Sequence, residues 1–173
     1  MDFIGVLKAR RSTRKYQKRP VPDPVLRKIL TEMQDSPSAG NLQSYSIVAV
    51  RSAAAKRALY GISNRQQFVL SAPVVLAFFA DSARCSLKYG FRGAHFLCIQ
   101  DATIAAAYFQ LAAADAGLAT CWVGKFAPEK VMELLRAPNF MYPVALITLG
   151  YSAEKGVRFP RRKLSSIFRN ERF

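Results

Sequence analysis

Residues 101–124 read DATIAAAYFQLAAADAGLATCWVG, an alanine-rich run that gives way after Gly117 to a short stretch of strand-forming residues. The run over 101–116 predicts a helix, because apolar residues recur at helical spacing and glycine often ends a helix. Residues 118–123 predict a strand directly after it. A long helix that turns straight into a strand indicates a layered protein in which helices cover a sheet.

The predicted helix over 101–116 carries two apolar faces. At 100° per residue, two polar edges separate these faces, with Asp101 and Asp115 on one edge and Thr103 and Gln110 on the other. The faces themselves carry Ala105, Phe109, Ala112, Ala113 and Ala116 on one side and Ile104, Ala107, Leu111 and Ala114 on the other. A surface helix has one apolar stripe, so this helix is expected to be covered on both sides, either within one subunit or by a second copy of the chain.

The elements predicted around this unit alternate between helix and strand. Helices are expected over residues 2–10, 23–36, 53–62, 64–70 and 128–135, and strands over residues 46–50, 73–80 and 143–149. Asp23 is expected to be the N-cap of the second helix, with Pro24 at its first helical position. Residues 82–100, which include Gly90 and Gly93, are expected to be irregular. No repeat or linker divides the chain, so residues 1–173 are expected to form a single domain of the α+β class, layered as in α/β proteins.

The composition is that of an ordinary globular protein, with 51% apolar and 21% charged residues in 173. The most apolar stretch, residues 68–80, is shorter than the roughly 20 residues needed to span a bilayer, so no membrane segment is expected. Cys85, Cys98 and Cys121 are well separated and form no CxxC pair, which argues against a disulfide framework or a zinc site. A cytoplasmic location is therefore expected.

The positive charge is concentrated at the two ends of the chain. The formal net charge is +15, and residues 8–19, KARRSTRKYQKR, hold seven of the 26 Lys and Arg residues. Residues 155–173 hold seven more, namely Lys155, Arg158, Arg161, Arg162, Lys163, Arg169 and Arg172. Such clustering indicates a bound anion, and the candidates are a nucleic-acid backbone, an acidic membrane and a cofactor phosphate.

The residue types needed for most side-chain catalysis are scarce. His95 is the only histidine, so a His-based metal site or a Ser-His-Asp triad is poorly supported, and His95 is expected to be a packing residue. The motifs GxSxG, HExxH, GxGxxG and the Walker loop are absent from the sequence. If the protein is an enzyme, a cofactor is expected to carry the chemistry, and no metal is expected.

Two polar segments offer groups that such a cofactor would need. Residues 10–14, RRSTR, supply guanidinium groups for bidentate contacts with phosphate oxygens, together with two hydroxyls. Residues 37–43, PSAGNLQ, form a loop by composition, and its Asn and Gln amides can donate to and accept from the edge of a heterocycle. RRSTR alone would suit a solvated basic turn equally well, and the second segment favours a bound ligand.

Four segments, in the same order, resemble the FMN-dependent nitroreductase family. They are RRSTRKY at 10–16, PSAGNLQ at 37–43, DATIAAAYFQLAAADAGLATCWVG at 101–124 and PVALITLGYSAEKGVRFPRRKLSSI at 143–167. The resemblance implies a mixed central sheet flanked by helices, in an intertwined homodimer with flavin sites at its interface. It also implies an FMN-dependent oxidoreductase that takes hydride from NAD(P)H and passes it to nitroaromatic or quinone-type acceptors in a ping-pong cycle.

Carried over position by position, the resemblance implies a set of FMN-binding residues and no catalytic side chain. The residues of the phosphate and of the N1/O2 side of the ring would be Arg10, Arg11, Ser12 and Arg14, with Arg161 and Lys163 completing the phosphate site. The ring would also meet Pro37, Ser38, Asn41 and Gln43 from the other subunit, the backbone of Val123 and Gly124 beside N5, and Asn64 and Gln67. Arg14 would stabilise the negative charge of the reduced flavin.

Two departures from the family pattern bear on the ring contacts just past Gln43 and on the substrate, respectively. The family commonly continues the second motif with Pro-Trp, where this chain has Ser44-Tyr45, and residues 82–100 are short where longer members carry a substrate-facing insertion. Another flavin reaction, such as reductive dehalogenation or dehydrogenation of a heterocycle, is therefore one alternative. A basic nucleic-acid-binding module is the other, which the high net charge favours and the lack of a zinc-finger, RNP or helix-turn-helix signature opposes.

Overall fold

A four-stranded antiparallel sheet forms the centre of the computed structural model, which describes residues 1–157 and 159–173. Its strands, in the order β1-β2-β4-β3, are β1 (Tyr45–Val50), β2 (Val74–Asp81), β3 (Ala119–Val123) and β4 (Met141–Gly150). The resemblance implies a mixed sheet, whereas these strands all pair antiparallel, and the parallel contact in the described residues is a bridge between Ser12 and Thr120. The α+β class is confirmed.

Helices cover both faces of this sheet. They are α1 (Phe3–Ala9), α2 (Asp23–Met33), α3 (Ala53–Ile62), α4 (Phe68–Ser71), α5 (Ser82–Arg92), α6 (Cys98–Asp115) and α7 (Pro128–Leu135). Short 3₁₀ turns lie at Ala39–Asn41 and Leu164–Ser166. α2 and α6 pack on one face of the sheet, and α3, α4 and α7 pack on the other.

β2 is the strand that both helical layers cover. Leu76 and Phe78 pack towards α2 and α6, while Val75 and Phe79 pack towards α3, α4 and α7. The ring of Phe78 meets that of Phe109 on α6 edge to face, with centroids 5.5 Å apart. Because both faces of β2 are buried, its sequence is a continuous apolar run rather than an alternating pattern.

The central helix α6 is longer than predicted, since it begins at Cys98 rather than Asp101. Gly117, with φ of +74°, follows its C-terminus and allows the turn into β3. The helical run Ser82–Asp115 is long and apolar enough by composition to cross a bilayer, and 44% of its most apolar window is buried within the protein. α6 packs against α2 and the sheet, as the core helix of a globular fold does.

Residues 82–100, expected to be irregular, are helical, so that prediction is wrong. α5 fills most of the segment, and one turn of π-helix at Gly93–Leu97 joins it to α6. The two glycines that indicate a loop in the sequence have other roles here. Gly90 forms a kink with φ of +52°, and Gly93 permits close packing, because a Cβ there would lie 2.5 Å from the carbonyl oxygen of Cys85.

Two helix starts also differ from the prediction. Asn64 and Arg65 have positive φ of 55° and 54°, so the helix expected over 64–70 is confined to the single turn of α4. The second helix begins at Asp23 itself, with Pro22 at the N-cap position and no side-chain capping bond. The predicted N-cap role of Asp23 is therefore wrong by one position.

Candidate functional site

The first predicted motif, residues 10–16, is bound to the sheet through its backbone. Ser12 forms the parallel bridge with Thr120, and the backbone N–H of Thr13 donates to the carbonyl oxygen of Thr120 at 2.9 Å. Tyr16 anchors the other end, because its buried hydroxyl lies 2.7 Å from the hydroxyl of Thr148. The position of the motif is therefore fixed without the help of its charged side chains.

The basic tail lies beside this motif, as the sequence predicts. The Glu154 carboxylate accepts hydrogen bonds from the backbone N–H groups of Arg14 at 2.6 Å and Lys15 at 3.2 Å. Tyr16 and Ser152 form a second bridge, which is antiparallel. Two basic segments at opposite ends of the chain thus meet at one place on the surface.

A cavity of about 180 Å³ opens where the two segments meet. It is lined by Leu7, Arg10, Arg11, Ser12, Val157, Phe159 and Arg161. Three arginines and one serine line this space, with no carboxylate among the described residues that line it, so it suits a phosphate-sized anion. One of these guanidinium groups, that of Arg11, also donates to the carbonyl oxygen of Arg10 at 2.8 Å. A neighbouring cavity of about 290 Å³ shares Arg10 and Arg11 but includes Glu154, which makes it less suited to an anion.

Arg14 and Lys163, also predicted to serve the cofactor, do not line this cavity. The exposed Arg14 guanidinium lies over the ring of Phe68, 5.9 Å from its centroid. Lys163 is exposed and directly precedes the 3₁₀ turn at Leu164–Ser166. Arg158, part of the same basic cluster, lies outside the described residues. The structure therefore brings together four of the six residues predicted around the phosphate.

Asn64 and Gln67 lie on the turn that leads into α4. Both side chains are exposed, and the Gln67 amide donates to the Tyr60 hydroxyl at 3.0 Å. Phe68, the next residue in the chain, is the one that lies beneath the Arg14 guanidinium. Gln67 thus precedes the residue beneath Arg14, and neither Asn64 nor Gln67 lines the cavity.

Strand β3 leads away from the cavity, because its residue Thr120 pairs with Ser12, which lines the cavity. Val123 is buried and pairs with Leu146, and the exposed Gly124 follows it. A strand rises about 3.3 Å per residue, so Val123 lies about 10 Å beyond Thr120, the residue that pairs with Ser12. An elongated ligand with its phosphate in the cavity could reach this backbone.

The second predicted motif, residues 37–43, is a tight loop with an unusual backbone. Gly40, Asn41 and Gln43 have positive φ angles of 54°, 59° and 51°. The Ser38 hydroxyl accepts a bond from the backbone N–H of Gln43 at 3.0 Å, and the Asn41 side-chain oxygen accepts one from the Gln43 amide at 3.2 Å. The loop thus presents its predicted ring-binding side chains in one defined arrangement.

Asp101, which the sequence did not mark as a site residue, fixes this loop. Its side chain is buried, and its carboxylate accepts hydrogen bonds from the backbone N–H groups of Ala39 at 2.8 Å and Ser44 at 3.3 Å. In the sequence, Asp101 is visible only as part of a polar edge of the helix. Its partners lie 62 and 57 residues away along the chain, so no local pattern could reveal them.

Burial disfavours ionisation of the two titratable side chains next to the first motif, Tyr16 and Cys121. Burial raises the pKa of the Tyr16 phenol well above its usual range. Burial likewise raises the pKa of the Cys121 thiol, although the positive charge of Arg14 opposes that shift. Neither Tyr16 nor Cys121 therefore has the lowered pKa of an activated nucleophile. His95, the only histidine, lies in the π-helical turn, where it is exposed and stacks on the exposed Phe91 with ring centroids 4.0 Å apart.

The two halves of the predicted site lie at opposite ends of α6. The loop is bonded to Asp101 near the start of the helix, whereas Ala114 near its end lines the larger cavity shared by Arg10 and Arg11. At about 1.5 Å per residue, Asp101 and Ala114 are about 20 Å apart along the helix axis. Within one subunit, the predicted ring loop is therefore remote from the phosphate cavity.

Within the chain, one of the two apolar faces of α6 is buried and the other is covered only in part. Phe109 on the first face is fully buried in the core. On the second face Ala107 is exposed, Ile104 and Leu111 are half-buried, and Ala114 at the end of the helix is buried. An apolar surface along the middle of the longest helix is thus left open to solvent.

Comparison with known proteins agrees with this fold and these motifs. A family model described as the nitroreductase family matches residues 7–67 and 62–151. The chain is 35% identical over 182 aligned positions to a Thermus thermophilus protein named NADH dehydrogenase, with 90% of this chain and 88% of that protein covered. It is 26% identical to a Bacillus subtilis protein named FMN reductase (NAD(P)H), with 99% and 74% covered.

A solved structure shares the whole fold. NfrA2 of B. megaterium superposes with a TM-score of 0.90 at 25% identity, which covers 100% of this chain and 75% of that one. The family model, the relatives and the fold agree with the four ordered motifs in the sequence. The chain belongs to the nitroreductase family.

Proposed function

We propose that the protein is an FMN-dependent oxidoreductase that uses NAD(P)H to reduce nitroaromatic or quinone-type acceptors. The observation that carries this proposal is the cavity in which Arg10, Arg11 and Ser12 meet Arg161 from the other end of the chain. Guanidinium groups form bidentate, charge-assisted hydrogen bonds with phosphate oxygens, so this donor set fits the phosphate of FMN. The names NADH dehydrogenase and FMN reductase, given to two relatives, support the same class of activity.

The remainder of an FMN molecule would lie along the surface that leads away from the cavity. Val123 and Gly124, about 10 Å beyond the Ser12 bridge, would hold the ring end by their backbone. The Arg14 guanidinium lies on the exposed side of Phe68, near the start of α4. A guanidinium at the N1/O2 side of a reduced ring stabilises its negative charge and keeps its own proton at every working pH.

When bound, FMN would supply the hydride-transfer chemistry that the side chains lack. The part of the protein is then to hold the phosphate, orient the ring and keep one ring face accessible. A nicotinamide donor and an oxidised acceptor would occupy that face in turn, which is the order of a ping-pong cycle. Initial-rate measurements with NADH or NADPH and a quinone acceptor should then give parallel double-reciprocal lines, and intersecting lines would contradict the proposed order.

The working form is proposed to be a homodimer with two flavin sites at its interface. The open face of α6 around Leu111 offers an apolar surface for a second copy. Antiparallel pairing of two α6 helices would set the end of one beside the start of the other. The loop held by Asp101 in one subunit would then approach the phosphate cavity of its partner, rather than its own cavity about 20 Å away.

The proposed location is the cytoplasm. Cys85, Cys98 and Cys121 are all free and buried in the structure. Free thiols persist in a reducing compartment, where glutathione and thioredoxin systems prevent disulfide formation. The proposed donor, NAD(P)H, is available there as well.

Flavin binding to the purified protein tests the proposal. One variant removes an arginine that lines the cavity, and the control variant removes the next arginine in the chain, which does not line it. Wild type is expected to bind FMN and turn yellow. Arg161→Ala should raise the FMN dissociation constant about tenfold or more, because a charge-assisted hydrogen bond contributes about 1.5–3 kcal/mol. Arg162→Ala removes the same charge, but its guanidinium donates to the Ser166 carbonyl at 2.8 Å, so the dissociation constant should stay within about twofold.

Two outcomes would contradict the assignment. Wild-type protein that stays colourless after incubation with excess FMN and desalting would refute flavin binding. Equal losses for Arg161→Ala and Arg162→Ala would show that net charge, and not the cavity, attracts the phosphate.

A further inference from the structure

Asp101 joins both ends of the predicted ring loop to α6. Its side chain is 1% exposed. Oxygen Oδ1 accepts the backbone N–H of Ala39 at 2.8 Å, and oxygen Oδ2 accepts the backbone N–H of Ser44 at 3.3 Å. Ala39 and Ser44 flank residues 40–43, so one carboxylate closes the loop and attaches it to the helix.

The buried charge of Asp101 depends on this loop. Both carboxylate oxygens act as acceptors, as they do in an ionised carboxylate. The ion pairs among residues 1–157 and 159–173 use Asp23, Glu32 and Asp115, and none of them includes Asp101. Burying an ionised carboxylate is unfavourable unless hydrogen bonds replace its water. The two loop N–H groups are that replacement, so Asp101 and the loop conformation stabilise each other.

α5 supports the same loop from another side. The Arg84 guanidinium donates from Nε to the carbonyl oxygen of Leu42. Gly40 lies against the ends of Lys88 and Tyr89, because a Cβ at this position would be 2.6 Å from the Lys88 ammonium and 2.5 Å from the Tyr89 hydroxyl. These contacts hold the middle of the loop, whereas Asp101 holds its two ends.

We infer that Asp101 is a positioning residue for the flavin ring: it fixes residues 38–43 in the conformation that presents the Asn41 and Gln43 amides to the ring. The inference rests on the proposed function for its ligand, whereas the attachment of the loop is a property of the protein alone. In the described part of the chain, the residues that line the phosphate cavity make no hydrogen bond with Asp101 or with residues 38–43. Asp101 therefore governs affinity for the ring and leaves affinity for the phosphate unchanged.

Riboflavin separates these two contributions, because it contains the ring without the phosphate. Asp101→Asn replaces one acceptor oxygen by an NH₂ group that faces a backbone N–H. This change should lower the affinity for FMN and the affinity for riboflavin by the same factor, about tenfold. Arg161→Ala should weaken FMN by about tenfold and leave riboflavin binding unchanged. If Asp101 were only a solvated acid, Asp101→Asn would leave the affinity for riboflavin unchanged.

The experiment measures FMN and riboflavin binding by fluorescence and amide hydrogen exchange by mass spectrometry. Asp35→Asn is the control, because it removes the same charge just before the loop. Asp35 is exposed, and its side chain makes no hydrogen bond in the described part of the chain. In flavin-free Asp101→Asn, exchange over residues 39–44 should rise about tenfold or more, with exchange in β2 unchanged. A uniform rise that includes β2, or unchanged riboflavin affinity, would overturn the inference.

A second variant cuts the same attachment from the loop side. Ala39 opens the 3₁₀ turn and follows Ser38, whose extended backbone (φ −143°, ψ 159°) tolerates a following proline. Ala39→Pro removes one donor to Asp101 and leaves α6 intact, so FMN and riboflavin should again weaken equally. If wild type binds neither flavin, the proposed function fails and takes the flavin ring out of the inference; exchange over 39–44 in Asp101→Asn then decides whether Asp101 holds the loop, and unchanged exchange overturns that part as well.

Discussion

Replacing Leu111 by arginine tests whether the open face of α6 joins two copies of the chain. In the subunit Leu111 is half-buried and its neighbours Ala107 and Tyr108 are exposed. An arginine at this position can therefore extend its guanidinium into water, and the subunit should still fold. In a dimer built on this face, the same guanidinium would be enclosed between two helices.

The size of the effect follows from that enclosure. A buried charge without a partner costs about 3–5 kcal/mol. A two-fold axis places the substitution twice in each dimer, so the association should weaken by about 6–10 kcal/mol. Because 1.4 kcal/mol corresponds to a factor of about ten, the dissociation constant of the dimer should rise by at least about four orders of magnitude.

Light scattering gives the mass of the particle, and the visible absorbance of the same fraction gives its flavin content. Leu111→Arg is expected to be monomeric or aggregated and to have lost FMN. Ala54→Arg is the control, because exposed Ala54 lies on α3, across the sheet from α6, and it should stay dimeric and yellow. A dimeric Leu111→Arg would refute the interface, and a yellow monomer would refute the claim that a second copy completes the flavin site.

Three further substitutions test other parts of the structure. Arg14→Ala should raise the FMN dissociation constant about tenfold and slow flavin reduction in stopped-flow measurements, whereas Lys15→Ala should do neither. Gly93→Ala should lower the free energy of unfolding in urea by about 1–3 kcal/mol, because its Cβ would lie 2.5 Å from the backbone carbonyl of Cys85. Burial raises the pKa of Tyr16 above its unfolded value of 10.0, so its contribution to stability is complete below pH 10 and is lost as the pH rises further. Between pH 10 and 11, wild type should therefore lose up to about 1.4 kcal/mol more than Tyr16→Phe, and equal losses would refute the role of this phenol.

The helices predicted most accurately from the sequence are those whose start signals lie next to them in the chain. α3 and α7 occupy the predicted residues 53–62 and 128–135. α3 begins where the Ser52 hydroxyl accepts the backbone N–H of Ala55 at 3.2 Å, and α7 begins with Pro128 in its first turn. The helix over residues 82–92 was not predicted, since a glycine needed for close packing and a glycine in a turn look alike in a sequence.

The site was predictable only where a motif carried its residues. Arg10, Arg11 and Arg161 share a cavity because backbone pairing draws the tail to the first motif, and the two basic clusters were visible in the sequence. Asp101 has hydrogen-bond partners distant in the chain, so only the folded structure shows them. Arg19, a basic residue with no predicted role, packs over the ring of Tyr151 with 4.0 Å to its centroid, a contact that composition could not reveal.

Assembly and cofactor binding are coupled in the proposed dimer because α6 contributes to both. The start of the helix holds the ring loop through Asp101, its end lies near the phosphate cavity, and the open face around Leu111 lies between them. Separating the subunits would therefore separate the two halves of the flavin site, whereas freeing the loop would leave the subunits paired. Leu111→Arg should accordingly abolish the dimer together with riboflavin binding, and Asp101→Asn should weaken riboflavin binding in an intact dimer. Both substitutions lie on the same helix and should reduce affinity for the ring, but only Leu111→Arg should prevent dimer formation. A purely structural role for α6 would not make the two variants differ in this way.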